Sequence, residues 1–337
     1  MGRAILSSYK EQVEHLQHLA TKNERWLIII SADPDAIASS LALKRILARR
    51  AEEVAIARIN EIKRPDNLSM LGYLRVKIPM LTPEMLTKYQ RFAMVDSQPR
   101  HHAETENISF SVVIDHHPHT EITNSPADAL IDVRPNYGAC STILMGYLKA
   151  ANIRPGKMLA TAMLYGVRTD TGNFSHKTTL ADLRAFRTLS RLADQAKLAR
   201  IVRSEFFLPW IKPFSNALSH VVSIGTGKFI FFEDVPNSDL LVLTVDFLMR
   251  VHEVRWAAVA GVENGNLVVT LRSDGIRNVG KLASRAFGEY GMAGGHQNMA
   301  RAEIPLEKIP TPNLSKFVIS CIRQALGKKK APSPAAE

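Results

Sequence analysis

The chain has little cysteine, few aromatic residues and no long apolar segment. Its only two cysteines, Cys140 and Cys321, lie far apart among apolar neighbours, which argues against a disulfide framework or a cysteine-ligated zinc site. Apolar runs such as 26–30 and 159–167 are shorter than the roughly 18 residues that a membrane span requires. Aromatic residues are only 7% and no basic segment interleaves them, which disfavours an exonuclease that stacks a long single strand.

The N-terminal sequence also lacks the basic stretch, apolar core and cleavage site of a secretory signal. We therefore expect a cytoplasmic protein with buried, reduced thiols and no contact with a membrane. Hydrophobic residues at 46% and charged residues at 22% are typical of globular proteins, which excludes a disordered or collagen-like chain.

Positive charge is in excess, with 43 lysines and arginines against 32 acidic residues and a formal net charge of +11. Such an excess favours partners that are polyanions, such as nucleic acid or phosphorylated metabolites. Part of it lies in Lys328, Lys329 and Lys330, within a C-terminal tail at 327–337 that we predict to be disordered.

The length of 337 residues predicts two domains at about 150 residues each. Through residues 1–190, β-rich runs alternate with amphipathic helical patterns, which is typical of an α/β domain with a Rossmann-like parallel sheet covered by helices. The predicted strands are 26–30, 54–59, 92–95 and 111–114.

A helical connector is predicted at 191–223, followed at 224–326 by a smaller α+β domain that faces the first across a cleft. In this second domain, Asn264 and Gly265 between β-rich flanks predict a type I′ hairpin. The glycine-rich segment at 291–296 predicts a loop.

Acidic side chains follow three of the predicted strands. They are Asp33 and Asp35 after the first, Asp96 after the third, and Asp115 with His116 and His117 after the fourth. The carboxyl ends of parallel strands meet at one edge of a sheet, so these groups are expected to converge, together with Asp170 from a later segment.

Clustered carboxylates require a compensating charge, because two of them about 4 Å apart repel by roughly 4 kcal/mol at an effective dielectric constant of 20. Aspartate ligands with one or two imidazoles suit Mn²⁺ or Mg²⁺, and we take manganese as the first choice, with one or two ions bound. Each residue alone is also explained as a helix cap or a structural histidine. Their ordered recurrence favours a metal site.

This series resembles the four motifs of the DHH phosphoesterase superfamily, over nearly the whole chain. The motifs are DPDA at 33–36, Asp96, DHH at 115–117 and YGVRTDTGNF at 165–174, with LRSDG at 271–275 and GGH at 294–296 similar to the associated C-terminal substrate-binding domain. Length and layout are most similar to the oligoribonuclease and 3′-phosphoadenosine-5′-phosphate phosphatase branch, often called nanoRNases.

The resemblance implies a role for each matching residue of the first domain. Asp96 would bridge two manganese ions, with Asp33 on one of them. Asp35, His116 and Asp170 would hold the other ion. Asp115 would orient an imidazole, and His117 would lie near the scissile phosphate. In the second domain, the resemblance implies that substrate is bound by Arg272, Ser273, Gly294, Gly295 and His296.

The sequence departs from the family pattern in two places. The first motif of the family begins with a metal-binding histidine, where this chain has Ile29 and Ile30. Met292 and Ala293 interrupt the expected glycine run, and Arg301 stands where the family usually has another glycine.

The leading hypothesis is a manganese-dependent phosphoesterase that hydrolyses short oligoribonucleotides, 3′-phosphoadenosine 5′-phosphate or both. One alternative is a DHH enzyme acting on another phosphoryl substrate, such as a cyclic dinucleotide, polyphosphate or pyrophosphate. The other is a degenerate member that binds nucleotide or RNA ends without cleaving them. The expected partner is short RNA or a phosphorylated nucleotide, and a homodimer is left open.

Overall fold

A computed structural model describes residues 9–175 and 178–327, and these residues divide into two compact units between Ser204 and Glu205. The boundary falls inside the segment predicted as a connector. Apart from Gly327, the tail predicted to be disordered lies outside the described residues. Within the described ranges, no helix is both long enough and apolar enough to cross a membrane.

The first unit is built on a parallel sheet. Its strands are β1 (Arg25–Ile30), β2 (Glu53–Arg58), β3 (Arg91–Val95), β4 (Val112–Asp115) and β5 (Leu130–Val133). Its helices are α1 (Tyr9–Leu19), α2 (Pro34–Leu47), α3 (Pro65–Leu74), α4 (Pro83–Lys88), α5 (Cys140–Ala150), α6 (Lys157–Asp170), α7 (Leu180–Ser190) and α8 (Gln195–Val202). The strand order is β2-β1-β3-β4-β5, with every pair parallel.

Both faces of this sheet are buried. Along β1, Trp26, Ile28 and Ile30 pack into the larger apolar cluster, which α1, α2, α5 and α6 share, while Leu27 and Ile29 pack into a smaller cluster on the opposite face. Side chains alternate between the faces of a strand, so a strand covered on both sides reads as a continuous apolar run. This continuity explains why β1 was evident in the sequence.

The expected α/β fold is confirmed, and the structure adds a fifth strand that the sequence analysis missed. Ile131 of β5 is 38% exposed, while Asp132 is buried and accepts hydrogen bonds from Tyr147 and Arg134. An edge strand with a solvent-facing isoleucine and a buried aspartate gives no recognisable apolar pattern. Strand β4 also ends one residue later than predicted, which places Asp115 inside the sheet.

The second unit contains a mixed sheet between helices. Its strands are β6 (Val222–Ile224), β7 (Gly227–Phe231), β8 (Trp256–Glu263), β9 (Asn266–Ser273), β10 (Met292–Gly295) and β11 (Met299–Pro305). Its helices are α9 (Ile211–Leu218), α10 (Ser238–Leu248), α11 (Val279–Phe287) and α12 (Leu314–Gly327). The strand order is β10-β11-β9-β8-β7-β6, and only the β7–β8 pair is parallel. The predicted α+β character is confirmed.

The predicted hairpin is present, whereas the predicted glycine loop is wrong. Asn264 and Gly265 have φ angles of 49° and 77°, the left-handed pair of a type I′ turn between β8 and β9. Residues 292–295 form the edge strand β10 instead of a loop. A Cβ on Gly280 of α11 would lie 2.3 Å from the carbonyl oxygen of Gly295, so glycine here permits a close helix–strand contact.

Replacing Gly265 with alanine is expected to destabilise the protein by about 1 kcal/mol, because a Cβ disfavours the left-handed region although no atom lies within 4 Å of its position. Urea denaturation of Gly265→Ala beside Asn264→Gly measures this effect. The control keeps the turn compatible with positive φ and should unfold near the wild-type midpoint. Equal midpoints for all three proteins would contradict the assigned turn.

Candidate active site

Asp35 lies in the first turn of α2 and is completely buried. Its Oδ2 accepts a hydrogen bond of 2.6 Å from the backbone N–H of Cys140, and its Oδ1 accepts one of 2.9 Å from the N–H of Ser141. Both donors are free backbone groups at the start of α5, where positive potential favours an anion. The carboxylate is therefore fixed by a second helix, more than 100 residues away in sequence.

Helix α6 crosses α2 closely at Gly166. A Cβ there would lie 2.8 Å from Asp35 Oδ1 and 2.9 Å from Asp35 Cα. Only a residue without a side chain permits this approach, which brings Asp170 at the end of α6 to the start of α2. Gly166 thus positions two acidic residues at once.

Asp96 follows β3 with a left-handed backbone, at a φ of 60°. Its N–H donates to the carbonyl of Ile114 at the end of β4, and its side chain is 2% exposed. A non-glycine residue in this conformation is strained by an amount on the order of 1–2 kcal/mol, and such strain is concentrated at functional sites. The turn aims the Asp96 carboxylate towards the two helices.

His116 faces this carboxylate group. Its Nε2 lies 3.2 Å from Asp96 Oδ1 and 3.2 Å from Asp170 Oδ2, while its Nδ1 donates to the carbonyl oxygen of Tyr137 at 3.2 Å. One ligand atom from each of Asp35, Asp96, His116 and Asp170 lies within 4.8 Å of the other three. We call these four residues the acidic cluster.

Asp33 borders the acidic cluster without belonging to it. It is the N-cap of α2, and its Oδ1 accepts the N–H of Ala36 at 2.8 Å, so the capping interpretation also holds. Burial raises the pKa of Asp33, and repulsion from Asp35 adds to that shift. Among the neighbouring charges, that of Asp33 makes the largest contribution to raising the pKa of Asp96, so the two carboxylates lie close together.

Asp115 and His117 form a separate pair beside the cluster. His117 Nδ1 donates to Asp115 Oδ1 at 2.9 Å, and Gln98 Nε2 donates to Asp115 Oδ2 at 2.6 Å. Although burial opposes ionisation, these hydrogen bonds lower the pKa of Asp115 below its ordinary value. The imidazole that the ionised Asp115 orients is therefore that of His117, whose side chain is 46% exposed.

The acidic cluster is electrostatically unfavourable without a cation. Burial, with repulsion from Asp170, raises the pKa of Asp35 to about 6, and burial with repulsion from Asp33 and Asp35 raises the pKa of Asp96 well above its usual range. Burial acts to lower the pKa of His116, but contacts with Asp170 and Asp96 outweigh it and raise that pKa to about 12. The site thus draws in positive charge.

The ligand atoms fit a divalent metal ion. Asp96 Oδ1 and His116 Nε2 are buried and make no hydrogen bond to any described residue. Because the His116 Nδ1–H points at a carbonyl, Nε2 is the ring nitrogen that would bind a cation, which would replace the proton that the two carboxylates otherwise favour there. A cation between these atoms would satisfy all of them, and carboxylates with an imidazole are ligands for Mn²⁺ or Mg²⁺.

The residues that replace the expected first-motif histidine cannot hold metal. Ile29 and Ile30 are fully buried in apolar clusters on opposite faces of the sheet. A second group of ligand atoms within 4.8 Å consists of Asp96, His116 and His117. His117 is therefore close enough to contribute a ligand to an ion bound by Asp96 and His116.

The predicted substrate-binding residues lie together in the second unit. Arg272 pairs with Met299 between β9 and β11, and the N–H of Ser273 donates to the carbonyl of Asn298, close in sequence to His296. Arg272 Nε contacts Asp246 Oδ1 at 2.8 Å, and the Ser273 hydroxyl donates to the Arg277 carbonyl. His296 is exposed, and Gly294 and Gly295 lie in β10.

Sequence reasoning missed the groups that orient the ligands. They are Gln98, the carbonyl of Tyr137, the N–H groups of Cys140 and Ser141, and Gly166. Backbone donors carry no signal in residue type. Gly166 lies within the YGVRTDTGNF segment, but a single glycine in a helix does not indicate which other helix packs against it.

Residues 26–167 match the family described as DHH family, N-terminal domain. This part of the chain is a DHH family domain. The matched range includes Asp33, Asp35, Asp96 and the pair of histidines at 116–117, and Asp170 lies three residues beyond it.

Similar proteins extend the match beyond the DHH domain. An uncharacterized protein of Methanocaldococcus jannaschii is 29% identical over 309 residues, which is 90% of this chain, and the chain spans 63% of that relative's length. An exopolyphosphatase-related protein from Bacteroides fragilis superposes with a TM-score of 0.72 at 17% identity, covering 97% of each chain. RecJ from Thermus thermophilus in complex with Mn²⁺ gives 0.55 at 15% identity, over 96% of this chain and 55% of that one. At these identities, the two structures establish a shared fold.

Removing the Asp96 carboxylate is expected to abolish stabilisation by Mn²⁺, since a bound ion stabilises the folded state by RT ln(1 + [Mn²⁺]/Kd). Asp96→Gly should also be more stable than Asp96→Ala by about 1 kcal/mol, because glycine accepts the positive φ. Thermal unfolding with and without Mn²⁺ measures both effects. An equal Mn²⁺-dependent rise in Tm for wild type and both variants would contradict the ligand assignment.

Replacing Gly166 with alanine is expected to displace Asp35 and weaken Mn²⁺ binding at least tenfold, with a loss of stability of about 1–3 kcal/mol from overpacking. Gly72→Ala is the matched control, because a Cβ at that helical position has no atom within 4 Å and should slightly stabilise α3. Calorimetric titration with Mn²⁺ compares the two. Equal affinities would show that α2 and α6 move apart without disturbing the cluster.

Proposed function

We propose that the protein is a metal-dependent phosphoesterase that hydrolyses short oligoribonucleotides, 3′-phosphoadenosine 5′-phosphate or both. The observation that carries this proposal is the acidic cluster, where three aspartates and His116 bring ligand atoms within 4.8 Å of one another inside a DHH family domain. Of these atoms, the buried Asp96 Oδ1 and His116 Nε2 have no hydrogen-bond partner among the described residues. Mn²⁺ is the proposed ion, because a mixed carboxylate and imidazole set suits it. If a second ion binds, Asp96 and Asp33 would be the residues to hold it.

Different residues of the chain have different roles in the proposed hydrolysis. Metal ions at the cluster would supply a nucleophilic water and neutralise charge on the phosphoryl group. Asp35 and Asp170 keep their positions through the contacts of α2, α5 and α6. Because Asp115 accepts the Nδ1–H of His117, the Nε2 of that exposed ring is the nitrogen free to face a phosphate oxygen or the leaving group.

Arg301 bears on the choice between nucleotide and more highly phosphorylated substrates. Its Nε contacts Glu303 Oε1 at 2.7 Å, so the charge that distinguishes this chain from the family pattern is already paired. An unpaired arginine beside β10 would favour a more phosphorylated ligand, and this ion pair weakens that argument. Inorganic polyphosphate nevertheless belongs in the substrate panel, because the similar Bacteroides fragilis protein is described as exopolyphosphatase-related.

Hydrolysis of a 5′-labelled RNA dinucleotide with Mn²⁺ tests the proposal. Turnover should require the metal and fall about 10³-fold or more in His116→Ala, since several kcal/mol of transition-state stabilisation depend on the ion. His252→Ala, which removes an exposed histidine of the second unit, should leave the rate unchanged.

Three results would overturn parts of this assignment. Unchanged turnover in His116→Ala would contradict the metal-dependent mechanism. Cleavage of polyphosphate with the dinucleotide intact would replace the substrate. Mn²⁺ binding and RNA binding without cleavage of any phosphoryl substrate would favour a degenerate binding protein.

A further inference from the structure

A groove of about 1020 Å³ lies in the first unit between α5 and α7, apart from the ligands of the acidic cluster. Five of its lining residues are basic: Lys149, Arg154, Arg184, Arg187 and Arg191. We call this feature the α5–α7 groove. None of these residues belongs to the motifs that identify the DHH domain.

The charge of the groove is of one sign. No aspartate or glutamate in the described part of the chain lines it. All five basic side chains are exposed, and none forms an ion pair with another residue within 9–175 or 178–327. Unpaired cations that converge on one concave surface raise the local concentration of a polyanion. The groove therefore fits a ligand that carries several negative charges.

The basic residues of α7 form a row. Arg184, Arg187 and Arg191 are spaced by three and four residues, so they lie on one side of the helix over about 10 Å at a rise of 1.5 Å per residue. A row of this length can contact successive phosphates of one strand. Lys149 and Arg154 line the groove from α5 and the loop after it. A linear chain of phosphates matches this arrangement better than a compact anion.

The rest of the lining distinguishes between linear polyanions. Met145 and Leu192 are half-buried and provide apolar surface, as does the half-buried Tyr137, while Ile153 and Pro155 are buried beneath the lining. Bases and sugars can cover such a surface, whereas inorganic polyphosphate has nothing apolar to place there. The composition of the groove thus favours nucleic acid.

The groove is physically continuous with the acidic cluster through one short segment of chain. Tyr137 lines the groove, and its carbonyl accepts the hydrogen bond from His116. The N–H groups of Cys140 and Ser141 hold Asp35, and the next residue, Thr142, lines the groove. A strand bound in the groove would therefore lie against the segment that orients two ligands of the cluster.

We propose that the α5–α7 groove binds a single strand of nucleic acid, with its phosphates on the five basic side chains and its bases over the apolar lining. This site is additional to the proposed hydrolytic centre. Its binding does not require hydrolysis, so the two proposals can fail separately.

Fluorescence anisotropy with a labelled ten-nucleotide RNA in EDTA tests the inference without turnover. The variant Arg184→Gln, Arg187→Gln, Arg191→Gln should bind about tenfold or more weakly at 50 mM salt. The slope of log K against log salt should fall by about 2, because each lost contact with a single strand removes about 0.7. Tm and dinucleotide hydrolysis, measured in parallel, verify that the variant is folded.

The matched control removes three exposed cations of the same unit that do not line the groove, through Lys22→Gln, Arg45→Gln and Arg49→Gln. It should keep the wild-type affinity and salt slope. An equal loss of RNA affinity in both variants would show that net charge alone explains the effect, and would contradict the proposed binding site. So would unchanged binding in the groove variant. If inorganic polyphosphate of the same charge displaced the RNA at equal concentration, the occupant would be any phosphate chain, and the assignment to nucleic acid would be wrong.

Discussion

Burial of the Asp35 carboxylate is the constraint on which the candidate active site depends. A buried carboxylate needs hydrogen-bond donors, and the free N–H groups at the start of α5 supply the two short ones here, beside a longer contact of 3.5 Å from the Ser39 hydroxyl. This requirement fixes α5 against α2, and the absence of a side chain at Gly166 lets α6 join them. The three helices therefore meet where parallel strands end, so the DHH domain core and the acidic cluster are products of the same packing.

Repulsion among the carboxylates is the second feature of this arrangement. Asp96 is held in a left-handed conformation, and burial raises the pKa of each carboxylate in the cluster. A folded chain tolerates such an unfavourable group only if packing elsewhere stabilises it, as the sheet with two buried faces does. A cation would relieve the repulsion, which is a physical reason for a site of this kind to bind metal.

The basic side chains of this protein differ in whether they contact a carboxylate. Arg272 and Arg301 in the second unit each contact a carboxylate, whereas the five basic residues of the α5–α7 groove have none. The sequence shows no basic segment with interleaved aromatic residues. The groove instead combines two helices that are about thirty residues apart, so its charge is visible only after folding.

The sequence by itself determined the α/β class, four of the five strands of the first sheet, the type I′ hairpin and the residues of the acidic cluster. These follow from local patterns: apolar continuity in buried strands, a left-handed dipeptide, and acidic residues where strands end. Asp170, which ends α6, was instead expected from its place in the YGVRTDTGNF motif. Tertiary structure alone decided that His117 is the partner of Asp115, that the glycine run is the edge strand β10, and that Asp33 both caps α2 and borders Asp96. Contacts between distant segments, many of them through backbone groups, carry no sequence signal.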